Sequence, residues 1–144
     1  PAICDRPPLR LLRPSLSELS AADMESRRSL DAFIAAMPDT RISFARALAP
    51  KSEKHFRLCA DEAACAAWAL PLEHTASLPS ARCVRVIHRF ACQPCDDEAV
   101  PEILACAQKA GHAVRGDGEL FGLHLASETS EGKVSLYAAV YLPI

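Results

Sequence analysis

An internal duplication constrains this chain more than any other feature. Arg41 to Lys54 (RISFARALAPKSEK) and Glu119 to Lys133 (ELFGLHLASETSEGK) match in apolar pattern, in turn position and in the closing Ser-Glu-Lys, with Gly132 inserted. Duplicated units pack as equivalents, so whatever one half forms the other must form too. In the first half, Leu9, Leu11 and Leu12 read as a strand, and Pro14 at its end is compatible with an edge strand or with the exit from a strand. Leu30, Phe33, Ile34 and Met37 recur at spacings of three and four, which predicts a helix over Ala21 to Met37 capped by Ser20 or Asp23 and stopped by Pro38. Ile42 to Leu48 and His55 to Cys59 follow as strands around a turn at Pro50 to Glu53.

The second half repeats that order. Cys83, Val84, Val86, Ile87 and Phe90 read as a β-branched strand, and Val100, Ile103, Leu104 and Ala107 predict a helix over Asp96 to Ala110 that Gly111 ends. Leu120 to Ala126 and Lys133 to Leu142 then read as strands around a turn at Ser127 to Gly132. The expected fold class is therefore α+β: two β-α-β-β repeats, about 9–60 and 82–144 with a linker at 61–81. They form one antiparallel sheet with two helices on one face and a ligand cleft at the pseudo-twofold seam.

With 144 residues, the two repeats share one domain spanning 1–144. The formal net charge is −2 and the 16 basic residues are scattered, which makes direct nucleic-acid contact a poor expectation. No apolar run of about 18 residues is present to span a bilayer with a helix. Seven cysteines form an odd set, so at least one thiol lacks an intramolecular partner, and reduced thiols in the cytoplasm are the simpler expectation. The chain starts at Pro1, which leaves open whether a DNA-binding domain precedes it.

Two constellations compete for function. Cys92-Gln93-Pro94-Cys95 falls between a strand and a helix, where a thioredoxin-like redox pair belongs, although Asp96, Asp97 and Glu98 oppose a thiolate. The same cysteines could hold a metal with His88, Cys106 or His112. Structural zinc normally adds a second tight pair, and Cys59 and Cys65 are too widely spaced to supply one, so no metal and no cofactor are expected. His55, His74 and His124 read as strand or loop surface residues.

The duplicated layout, together with Lys109-Ala110-Gly111, Gly118-Glu119-Leu120-Phe121 and the terminal Val140-Tyr141-Leu142-Pro143-Ile144, resembles the GyrI-like family. These are the effector-binding domains of bacterial multidrug-sensing regulators and their free-standing relatives. The resemblance implies a small hydrophobic or cationic partner, received by Glu119 at the start of the penultimate strand, with homodimerisation open. Trp68, Phe121, Tyr137 and Tyr141 are the aromatic candidates, since ring faces attract cations. An acid among Leu120, Phe121 and Leu123 is costly to bury alone, and an incoming cation offsets that cost. Some GyrI-like proteins are similar in fold but hydrolyse electrophilic small molecules, in which case Glu119 would be a general base. Binding, hydrolysis and Cys92/Cys95 redox chemistry all stay open at this level.

Overall fold

A computed structural model describes residues 1–13, 24–36, 43–48, 57–70, 72–73, 75–90 and 99–144. Its elements are β1 (Ala2–Arg6), β2 (Leu9–Leu12), α1 (Met24–Ala36), β3 (Ser43–Ala47), β4 (Arg57–Asp61), α2 (Glu62–Ala67), β5 (Thr75–Leu78), β6 (Ala81–Phe90), α3 (Ala99–Lys109), β7 (Glu119–Ser130) and β8 (Lys133–Pro143). The eight strands form one sheet in the order β1-β6-β8-β7-β3-β4-β2-β5, and every pairing is antiparallel. The fold class is α+β.

The halves meet along β3 and β7, and the register there follows from the duplication. Phe44 pairs with Gly122, and these are the two residues that the sequence repeat aligns. A twofold relation between the halves requires such self-pairing at the axis. Two bulky residues cannot share that position: a Cβ on Gly122 would lie 2.4 Å from the Phe44 ring. The Phe44 ring fills the space and meets Phe90 edge-on, with centroids 5.7 Å apart.

Alternation then separates the sheet into two faces. Phe44, Val84, Val86, Leu120, Val140 and Leu142 point to one face, where Ala99, Ile103 and Ala107 of α3 cover them. On the same face, Leu12, Leu58 and Ala60 receive Phe33 of α1 and Cys65 of α2. The opposite face carries Leu9, Leu11, Ala45, Cys59, Leu123 and Tyr141.

The sheet must curl around that second face. On a flat sheet, β1 and β2 would lie six strand spacings apart, roughly 29 Å, yet Pro7-Pro8 joins them and three Cα steps reach at most about 11 Å. Pro79-Ser80 imposes the same closure between β5 and β6. The two crossovers are tied together: the Arg6 guanidinium donates to the carbonyls of Pro7 and Pro79, each at 2.9 Å. Ser80 Oγ donates to the Arg6 carbonyl at 2.7 Å.

Several expectations are corrected. The segment 61–81 is not a bare linker, because it holds α2 and β5; three helices, not two, occur among the described residues. Residues before Leu9 form β1, a strand whose outer residues are exposed and which therefore lacks an apolar signature. The last hairpin is longer than expected: β7 runs to Ser130, and the turn is Glu131-Gly132 with φ of 52° and 74°, the positive pair of a type I′ turn. Polar pairs such as Glu128 with Ser135 hid the extension. The strand expected from His55 is described from Arg57 to Asp61. The cap at Ser20 or Asp23 and the turn at Pro50 to Glu53 lie outside the described residues.

Two outcomes follow. Gly122→Ala should lower the urea-unfolding free energy by about 1 to 3 kcal/mol through overpacking, and adding Phe44→Leu should recover part of the loss. Arg6→Met, which removes both carbonyl bonds, should cost about 2 to 4 kcal/mol. Arg6→Lys should restore less than half of that, because an ammonium lacks the planar fork.

Candidate functional site

The inner face of the curl is the candidate site. Successive register pairs lay Arg85, Tyr141, Phe121, Ala45 and Arg57 in one row across it. Glu119 shares the face two residues before Phe121 and is half-buried. Its charge reaches the Cys59 thiol, which is fully buried and pushed far above its ordinary range by desolvation, with Arg6 opposing and Asp61 and Glu119 adding to the rise.

One end of this face is filled. Arg6 is only 4% exposed, and its guanidinium carbon stands 4.7 Å from the Phe121 ring centroid, a cation–π contact in a dry setting. Its Nε is buried and has no hydrogen-bond partner among the described residues. Burial raises the pKa of the Tyr141 phenol, the Cys4 thiol adding to the rise, while the positive charge of Arg85 works against it.

Beside α2 the sheet is open at a margin where both of its faces contribute, Cys59 and Leu123 from the inner face and Ala60 from the helix-bearing one. A hollow of about 470 Å³ lies between α2 and the strands, with walls that include Trp68, Asp61, Ser43, Cys59, Leu123 and His124. Cys59 and Leu123 belong both to this wall and to the packed cluster around Tyr141, so the hollow is continuous with the inner face. Asp61 is placed by a local device: its Oδ1 accepts the Ala64 N–H and caps α2. His124 faces Ser127 Oγ at 2.8 Å, and its backbone N–H donates to Ser43 Oγ at 3.2 Å. A volume of this size falls within the range that holds drug-sized ligands.

The residues singled out from sequence therefore divide. Phe121 and Tyr141 belong to the filled end, and Glu119 shares their face of the sheet. Trp68 lines the hollow. Tyr137 points to the same face, but its hydroxyl donates to Glu128 at 3.0 Å on the exposed hairpin, away from both. Cys92 and Cys95 lie outside the described residues, as do His55 and His74. Asp61 and Arg6 were not anticipated. The signal for Asp61 was an Asp followed by Glu62 and an alanine-rich run, a helix start; nothing local in the sequence marks Arg6.

Among the described residues, no group of three or more His, Cys, Asp and Glu side chains is arranged to hold a metal ion. No described helix is long and apolar enough to cross a membrane. His88 instead packs edge-on against Phe90, with ring centroids 4.7 Å apart. Burial holds its pKa below the ordinary 6.5, with Glu102 acting in the opposite sense. A base depressed by folding is stabilising while neutral, so that contribution is intact above 6.5 and is lost as pH falls through the lowered folded value. Urea midpoints measured below pH 6.5 should fall less steeply in His88→Gln than in the parent.

No protein-family model matches the chain, and no curated protein matches it. Among solved structures, a protein from Staphylococcus aureus described as a bacterial transcription regulation protein aligns with a TM-score of 0.51 and 9% identity, over 99% of this chain and 97% of that one. A second protein, solved bound to tetraphenylphosphonium, aligns with a TM-score of 0.49 and 11% identity, over 98% and 92%. The former likeness is one of fold.

Proposed function

We propose that this protein binds a small, largely apolar cation in the hollow beside α2 and acts as a ligand-recognition domain of the kind found in bacterial regulators. The observation that carries the reading is the hollow beside α2, where the Trp68 indole and the Asp61 carboxylate share a wall otherwise rich in Ala and Leu. An aromatic face and a carboxylate on an apolar wall suit a lipophilic cation: the ring supplies cation–π attraction and the acid offsets the charge. Glu119 adds a second negative charge across Cys59, close enough to act on the same buried thiol as Asp61. Phe121 and Tyr141 form the neighbouring wall, where Arg6 already occupies a ring face.

Asp61 takes the larger share of the charge in this reading because it lines the hollow and Glu119 does not. Titration calorimetry with a lipophilic quaternary phosphonium ion should show Asp61→Asn weakening binding about 10- to 100-fold, equivalent to about 1 to 3 kcal/mol. Asn keeps the helix cap. Glu119→Gln should weaken binding by a few-fold, and Trp68→Leu should also weaken it. A neutral isostere with carbon in place of phosphorus should bind the parent and both acid variants alike. Equal losses for the cation and the isostere, or no binding of either, would overturn the assignment.

A further inference from the structure

The strand that carries Arg6 also carries a thiol aimed at a second thiol. Cys4 and Cys83 are direct register partners on β1 and β6. Both are free and pack in the same inner-face cluster. Directly opposed residues of an antiparallel pair have Cα atoms about 4.5 to 5.5 Å apart, inside the window of about 4.4 to 6.8 Å that a disulfide spans. We propose that Cys4 and Cys83 form a redox dithiol that a low-molecular-weight disulfide, such as oxidised glutathione, converts to a cross-strand disulfide stapling β1 to β6.

The exposures set the order of events. Cys4 is half-buried, whereas Cys83 is 5% exposed, so the reagent meets Cys4 first. The Cys4 thiolate attacks one sulfur of the small disulfide, forming a mixed disulfide and expelling one thiolate, which takes up the proton that Cys4 lost. Cys83 then gives up its proton and attacks the Cys4 sulfur, breaking the mixed disulfide and expelling the second small thiol. Two protein thiols are oxidised and one small disulfide is reduced to two thiols. Burial raises the Cys83 pKa, while the positive charge of Arg6 works in the opposite sense and favours the thiolate. The staple is placed where it matters: among the described residues β1 is an edge strand that pairs with β6 alone, and it brings Arg6 to both crossovers.

The test is incubation of the full chain with oxidised glutathione, followed by tryptic mapping without reductant. The expected product is Pro1–Arg10 linked to Cys83–Arg85, since the Arg6–Pro7 bond resists trypsin, with two of the seven thiols lost to alkylation at these positions. Cys83→Ser should stop at a glutathione adduct on Cys4, and Cys4→Ser should give neither product. The linked form should melt about 5 to 10 °C above the reduced form and return on reduction. A stable glutathione adduct on Cys4 in the parent, or oxidation confined to Cys92 and Cys95, would overturn the proposal. Neither outcome bears on cation binding in the hollow.

Discussion

The structure depends on two crossovers too short for a flat sheet. Pro7-Pro8 and Pro79-Ser80 each join strands that would otherwise lie far apart, so the eight strands have no choice but to curl. Each flanking strand also pairs with the half it does not belong to: β1 leads into β2 but joins β6, and β5 leads into β6 but joins β2. The exchange binds the two repeats at their outer edges as β3 and β7 bind them at the centre. Arg6 sits where both crossovers pass, and one planar cation satisfies a carbonyl from each.

Closure by a buried guanidinium shapes what the inner face can do. A charge taken out of water must be met by dipoles, ring faces or anions, and Arg6 is met by two carbonyls and by the Phe121 ring. That end of the face is electrostatically spoken for. The hollow beside α2 carries a carboxylate and an indole, and its described wall residues include no arginine. The curl thus separates a structural cation from a region suited to an exchangeable one.

How much of this was legible in the sequence differs by element. Strands with one buried face announced themselves through alternation, as in β6, and α3 through its fourfold apolar spacing. The repeat implied a pseudo-twofold seam but not which strands form it; the structure shows β3 and β7 there, with the aligned residues Phe44 and Gly122 paired. Elements made of small or polar residues were silent: β1 (AICDR), β5 (TASL) and the short α2 (EAACAA) bury too little to impose a period. Their absence from the sequence reading moved Asp61 into a presumed linker and left Trp68 without neighbours. Glu119, Phe121 and Tyr141 were placed on one face by strand parity alone, whereas the hollow arises from α2 folding back beside β4, a tertiary event with no local trace.

The unequal pair at the axis makes the two halves non-interchangeable. Two copies of a single repeat, associating as separate molecules, would bring two rings or two bare backbones to the point where Phe44 now lies over Gly122. The former collides and the latter leaves a void. In this chain one half supplies volume and the other vacates it, so neither half can stand in for its partner at this position.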